Sequence, residues 1–191
     1  MHNDVERVLL DEEAIRAGID RVAEEVTTAF EGMDFTVVSI LKGSCLFASD
    51  LIRRIPIPLE LAFVSASSYG DGTEAGKLKV NFLPAGNEIE GRNILLVDDI
   101  LDTGRTMQTL KDEFTSRGAA IVKSCVFLDK PSRRAVEFNA DFRGFEVEDL
   151  FVVGFGLDFA GRYRSLPYVG VLKTEAQGRV ASSAEEARIA Q

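Results

Sequence analysis

Short β-branched apolar runs alternate with stretches of helical periodicity along most of this chain, and few folds accommodate that alternation. FTVVSIL (35–41), LELAFVSASSY (59–69), NILLVDD (93–99) and AAIVKSCVFL (119–128) read as strands. Residues 11–30 read as an amphipathic helix, with Ile15, Ile19, Val22, Val26 and Phe30 at helical spacing and acids in the first turn. CLFASDLIRRI (45–55) and residues 104–118, ending at Gly118, read as further helices. KLKVNFL (77–83) alternates like a hairpin strand, and LFVVGFG (150–156) and LPYVGVL (166–172) read as the last strands. YGDGTEAGK (69–77) is polar and Gly-rich, which reads as a mobile loop, and the segment after 172 reads as a loosely ordered tail. The pattern predicts an α/β domain with a mostly parallel sheet flanked by helices. Ligands of such sheets bind beyond the carboxyl ends of the strands. KGS, DDILDTGRT and DKPSRR all fall there.

The bulk numbers narrow the chemistry. A chain of 191 residues suits one domain with a sizeable core, without repeats or an internal linker. Its net charge of -9 argues against nucleic acid or an anionic membrane as a partner, since phosphate backbones select basic surfaces. The opening residues MHNDVERVLLDEEAIRAG do not have the shape of a signal peptide, no apolar run approaches membrane length, and the two cysteines, Cys45 and Cys125, lack metal-like spacing. Cytoplasmic residence is the expectation, with Cys45 a small buried side chain. The single histidine, His2, falls in a terminus that reads as mobile. Histidine-dependent triads and zinc sites are thereby nearly excluded, leaving Asp, Glu, Lys, Arg, backbone groups or a borrowed metal to do the chemistry.

The segment DDILDTGRT (98–106) holds two opposed tendencies. Its TGRT turn opens a helix, whose unpaired N–H groups and positive dipole end can cradle a phosphate. Thr103 and Thr106 add hydroxyl donors, Gly104 allows close backbone approach and Arg105 adds charge. Asp98 and Asp99 just before it repel phosphate but accept hydrogen bonds from adjacent ribose hydroxyls. A sugar phosphate satisfies both halves, and Asp102 is placed to take a proton from another reactant. The bland alternative is an Asp or Thr N-cap beside solvated acids. Capping needs one side chain, whereas this string supplies three acids and two threonines.

VDDILDTGRTM (97–107) resembles the phosphoribosyl-pyrophosphate signature of the type I phosphoribosyltransferases, and Asp102 resembles the third acid of the hypoxanthine(-guanine) branch. The resemblance extends in family order through LKGS (41–44), SSYG (67–70), LDKPSRR (128–134) and FVVGFGLDFAGRYRSLPYVGVL (151–172). It implies a single phosphoribosyltransferase domain over 1–191. The core would span about 35–150, a small hood would come from the N-terminal segment and 151–175, and a flexible tail would occupy 176–191.

By the same resemblance, Asp98 and Asp99 take the ribose hydroxyls, and the turn Thr103, Gly104, Arg105, Thr106 takes the 5-phosphate. Lys42, Gly43 and Arg164 hold pyrophosphate, and Asp158 ligates Mg2+. Asp102 accepts the purine ring proton. Lys130 faces the 6-position, where an ammonium, having donors only, favours a 6-oxo group over an amino group. Phe151 stacks on the base, the Val152 backbone holds its edge, and Ser68 and Tyr69 close over the site. The implied substrates are phosphoribosyl pyrophosphate and a 6-oxopurine, and the implied assembly is a homodimer or homotetramer. Phe155 and Phe159 replace tyrosines common among relatives, which leaves the ranking of hypoxanthine, guanine and xanthine open. Gly154-Phe155-Gly156 does not make a dinucleotide fingerprint, because no third glycine follows in register. The competing class is a non-catalytic nucleotide-sensing regulator on the same fold. Such a regulator calls for a basic surface or an added domain, and this chain has neither the charge nor the length for one.

Overall fold

The computed structural model describes residues 2–68 and 78–179. They form two compact units: Gly18–Asp149, and the chain up to Ala17 together with Leu150 onward. The elements are β1 (Val5–Leu10), α1 (Glu12–Ala29), β2 (Phe35–Leu41), α2 (Cys45–Ile52), β3 (Leu59–Ser68), β4 (Leu78–Phe82), β5 (Asn93–Leu101), α3 (Arg105–Ser116), β6 (Ile121–Asp129), β7 (Phe142–Glu146), β8 (Val152–Val153) and β9 (Val169–Leu172).

The larger unit carries a six-stranded sheet in the order β4-β3-β2-β5-β6-β7. β3, β2, β5, β6 and β7 run parallel, and β4 pairs antiparallel at one edge. Strands covered on both faces carry continuous apolar runs. Accordingly Val37, Val38, Ile94, Leu95, Leu96, Val97, Val126, Phe127 and Leu128 are fully buried. α3 turns Met107, Leu110 and Phe114 inward, a stripe at three- and four-residue spacing. It stops in a Schellman motif: the Gly118 N–H donates to the Thr115 carbonyl and the Ala119 N–H to the Phe114 carbonyl. At the start of α1, the Ala14 N–H donates to Asp11 Oδ1 at 2.8 Å, an aspartate N-cap.

The smaller unit is a three-stranded antiparallel sheet in the order β1-β9-β8. Its core is Val5, Val153, Leu172 and Ala176, with Phe159, Tyr163, Leu166 and Tyr168 packed against it. The two chain ends differ here from their sequence reading. Asp4 accepts hydrogen bonds from Tyr163 Oη at 2.9 Å and Arg179 Nη2 at 2.5 Å, and its carbonyl accepts from the Lys173 N–H. His2 is held as well: its N–H donates to Tyr168 Oη at 2.7 Å and its ring sits edge-on to Tyr163. Residues 174–179 are helical rather than loosely ordered. The expected loop 69–77 and the tail from 180 lie outside the described residues.

Other differences have local causes. α2 ends at Ile52 instead of 55, capped by Arg53 ahead of Pro56. The expected strand 150–156 shrinks to Val152–Val153, because Gly154, Phe155 and Gly156 adopt positive φ and turn the chain, Gly154 and Leu157 exchanging hydrogen bonds. β1 and β7 were not anticipated. Cys45 is exposed, since α2 buries Phe47, Ala48 and Leu51, while Cys125 lies in the core with its thiol pushed up by burial. No helix among the described residues is long and apolar enough to cross a membrane.

Candidate active site

Parallel register brings the ends of β2, β5 and β6 to one rim of the larger unit, where Ser39 pairs with Val97 and Leu101 with Asp129. β5 carries Asp98 and Asp99 within its last four residues and hands over to α3 through Asp102, Thr103 and Gly104. Asp98 is buried, and burial first, with the neighbouring Asp99 carboxylate second, pushes its carboxyl well above the ordinary range. The Asp99 N–H donates back to Asp98 Oδ1 at 2.9 Å.

The LKGS loop after β2 meets these acids. The Leu41–Lys42 peptide bond is cis, Lys42 is exposed and Gly43 is buried. A Cβ built on Gly43 would lie 1.6 Å from Asp99 Oδ2, so the loop backbone rests directly on that carboxylate. Buried Ser44 pins the loop from beneath, donating to the Ile40 carbonyl at 2.6 Å and sharing a 2.7 Å hydrogen bond with Ser39.

The turn after Asp102 does not spend its acids and threonines on capping. The N-cap of α3 is Gly104, at φ +83° and with no side-chain cap. The Thr103 hydroxyl makes one long contact, accepting from the Arg105 N–H at 3.4 Å. Glycine is required at 104 twice over, by the left-handed backbone and by Arg134 Cδ and Val136 Cγ2, each 3.0 Å from where a Cβ would stand. Arg105 is exposed and Thr106 half-buried at the helix opening.

The segment after β6 completes this rim. Lys130 is buried, and its N–H donates to the Leu101 carbonyl at 3.0 Å. Desolvation lowers its ammonium pKa, opposed in part by the carboxylates of Asp102 and Asp149. With the folded pKa below the unfolded one, the unfolded chain binds more protons in the window between them. Stability contributed by Lys130 therefore rises with pH across that window. Arg133 reaches Asp102 Oδ1 at 3.1 Å and Asp149 Oδ2 at 3.6 Å. Arg134 pairs with buried Asp129 and donates to the carbonyls of Leu101 and Asp102. Neither arginine was singled out from the sequence, although both stand in the quoted LDKPSRR string. Only their distances reveal their partners.

Four expected residues belong to the smaller unit. Phe151 is 42% exposed and edge-on to Phe159 at 5.1 Å, so it is not a core side chain. Val152 lies on β8, an edge strand of its sheet, where backbone groups are open to an added partner. Arg164 and Asp158 hold one another at 2.7 Å. Arg164 also donates to the Gly156 carbonyl at 2.5 Å, and the Gly161 N–H donates to Asp158 Oδ2 at 2.7 Å. Ser68 ends β3, and Tyr69 lies outside the described residues, as does the closure expected of that pair.

Comparisons with known proteins identify the family and the fold. The family model described as "Phosphoribosyl transferase domain" matches residues 7–160. The chain is 43% identical over 174 residues to a hypoxanthine-guanine phosphoribosyltransferase of Bacillus subtilis (strain 168), covering 91% of this chain and 96% of that protein. It is 45% identical over 176 residues to the bifunctional protein TilS/HprT of Listeria monocytogenes serotype 4b (strain F2365), covering 92% of this chain but only 27% of that longer protein. A solved hypoxanthine phosphoribosyltransferase from Staphylococcus aureus superposes with a TM-score of 0.86 at 40% identity, covering 92% of this chain and 95% of that one. This chain thus belongs to the phosphoribosyl transferase domain family and falls among its hypoxanthine-guanine phosphoribosyltransferases.

Proposed function

We propose that this protein transfers the 5-phosphoribosyl group of phosphoribosyl pyrophosphate to a ring nitrogen of hypoxanthine, and of guanine, releasing the mononucleotide and pyrophosphate in purine salvage. One observation carries this reading: the LKGS loop, Asp98, Asp99, Asp102, the opening of α3 and Lys130 share one rim of the larger unit.

The reaction breaks the bond between the anomeric carbon and pyrophosphate oxygen, makes a carbon–nitrogen bond, and moves one proton from the purine. Asp98 and Asp99 accept hydrogen bonds from the ribose hydroxyls, and the backbone N–H groups from Thr103 to Thr106, with both threonine hydroxyls and Arg105, hold the 5-phosphate. Lys42, the Gly43 backbone and Arg164 hold the pyrophosphate; a guanidinium suits that task by its bidentate fork. Asp102 accepts the ring proton, and Lys130 donates to the 6-oxo group. Phe151 covers the base, the Val152 backbone meets its edge, and Ser68 and Tyr69 exclude water that would hydrolyse the activated sugar.

Mg2+ fits the donors present. Among the described residues no group of three acids, histidines or cysteines forms a cage. Mg2+ keeps several waters and takes one or two carboxylates together with substrate phosphates. Asp158 would hold it, and the ion would neutralise charge on the departing pyrophosphate. We place the protein in the cytoplasm.

Incubation with phosphoribosyl pyrophosphate, Mg2+ and each of hypoxanthine, guanine, xanthine and adenine tests the reading. Nucleotide should form from the 6-oxopurines and not from adenine; binding of nucleotide without any turnover would favour the regulator instead.

Lys130→Ala should lower kcat/KM for hypoxanthine by on the order of 10–10², the worth of one charge-assisted hydrogen bond, and narrow the gap to adenine. The wild type should also lose hypoxanthine turnover at alkaline pH below the ordinary lysine range, since burial lowers this ammonium and its donor form is the useful one. That alkaline limb should vanish in Lys130→Ala. An unchanged pH profile with adenine still excluded removes Lys130 from this role.

Self-association is assigned to the exposed face of β3 and β4 in the larger unit. Leu61 and Phe63 alternate outward from β3 at 43% and 37% exposure, and Phe82, 57% exposed, sits opposite Ser65 on the same face. Light scattering should give a dimer or larger, and Phe63→Lys with Phe82→Lys should shift it toward monomer. A monomeric wild type would count against the assembly.

A further inference from the structure

We propose that Arg134 is a positioning residue that locks the proton acceptor Asp102 and the purine donor Lys130 into one rigid unit, with Asp129 as its anchor. This deepens the reading above and rests on Asp102 being the base.

The β5–β6 ladder ends at the pair Leu101 and Asp129. Beyond it the two segments are no longer held as a sheet, yet the reacting groups stand there. Four hydrogen bonds take over. The Lys130 N–H donates to the Leu101 carbonyl at 3.0 Å, and the Ala135 N–H to the Thr103 carbonyl at 2.9 Å. Arg134 Nη1 supplies the other two, to the Leu101 carbonyl at 3.1 Å and to the Asp102 carbonyl at 2.5 Å. The Leu101 carbonyl therefore receives Lys130 and Arg134 together.

The guanidinium is fixed from its other side. Arg134 Nη2 donates to Asp129 Oδ1, and both side chains are nearly buried, at 14% and 5% exposure. Arg143 Nη1 stands 3.5 Å from Asp129 Oδ2. Stability alone explains such a pair poorly, because well-packed apolar side chains serve a fold as well as a buried ion pair does. What an apolar pair cannot do is hold two successive carbonyls at a fixed spacing. A planar fork does this, and a lysine, with one compact ammonium, does not.

The division between the adjacent arginines supports the assignment. Arg133 contacts the Asp102 carboxylate itself, from a half-exposed position. Arg134 contacts only the Asp102 backbone, which aims the carboxylate while leaving its oxygens to accept a proton. The Gly104 backbone packs against the Arg134 stem, a contact that an unbranched Met or Lys keeps, so the phosphate-holding start of α3 does not depend on the guanidinium.

Arg134→Met, Arg134→Lys and Asp129→Asn test this in the full-length chain. Each variant's active sites are counted by stoichiometric binding of phosphoribosyl pyrophosphate, and kcat is expressed per site. Arg134→Met should lower kcat per site by about 10²-fold, the effect of a displacement near 1 Å, with an unchanged dissociation constant for phosphoribosyl pyrophosphate. Arg134→Lys should recover part of this loss. Asp129→Asn combined with Arg134→Met should be no worse than the worse single change, because both act through one contact. A purely structural residue would lower the melting temperature and the number of sites but leave kcat per site alone. Wild-type kcat per site in both Arg134 variants overturns the proposal; if Arg134→Met does not fold, Arg134→Lys decides it. A wild type that makes no nucleotide from any purine overturns the functional reading itself.

Discussion

Asp102→Asn is expected to lower kcat by about 10²–10⁴, the usual worth of a general base, while leaving the affinity for phosphoribosyl pyrophosphate unchanged. The split follows from where the residue stands. Asp98 and Asp99 lie on β5, and the opening of α3 begins at Gly104, so the proposed ribose and phosphate contacts do not include the Asp102 side chain. Asparagine keeps the size and the backbone contacts, including the carbonyl that receives Arg134. It also leaves Arg133 an oxygen to approach. What it removes is the capacity to take a proton. Steady-state kinetics paired with calorimetric titration of phosphoribosyl pyrophosphate read both quantities. Turnover equal to the wild type would mean that the purine proton leaves by another route, and the assignment of the base would be lost.

How much of this was legible in the sequence depends on whether a feature is local. The strand and helix pattern of the larger unit follows from runs of a few residues, and FTVVSIL became β2 with its boundaries unchanged. DDILDTGRT stood out because capping did not account for its composition, and in the structure Gly104, not an acid or threonine, is the cap. Long-range partners were not readable. β1 pairs with β9 across some 160 residues, and VERVLL alternates too weakly to announce a strand until that partner covers it. Asp129 and Arg134 are only five residues apart, but their burial depends on the long-range meeting of β6 with the end of β5. Arg164 and Asp158 were assigned separate tasks, and the fold joins them as an ion pair. Cys45 was misplaced because its chain neighbours are apolar; the helix phase that exposes it is set by Phe47, Ala48 and Leu51.

Gly43→Ala should be the most damaging single-methyl change in the larger unit's site. Gly43 lies outside the left-handed region, so alanine meets no backbone penalty there, and the whole effect comes from collision. The added Cβ would stand 1.6 Å from Asp99 Oδ2 and 2.4 Å from its Cγ, far inside van der Waals contact. Either the loop or the acid has to move. The loop is pinned by Ser44 to Ile40 and Ser39, and Asp99 sits on a central strand with a short side chain, so neither yields cheaply. A shift beyond 1 Å in groups assigned to pyrophosphate and ribose should lower kcat/KM by about 10² or more, carried by weaker binding of phosphoribosyl pyrophosphate. Overpacking itself should cost about 1–3 kcal/mol of stability. Gly86→Ala is the matched control, since nothing lies within 4 Å of its added Cβ. Combining Gly43→Ala with Asp99→Ala separates the two consequences: the melting temperature should recover, because the collision is gone, while binding should not, because the ribose acid is gone too. If Gly43→Ala binds phosphoribosyl pyrophosphate as the wild type does, the LKGS loop and Asp99 do not grip that substrate.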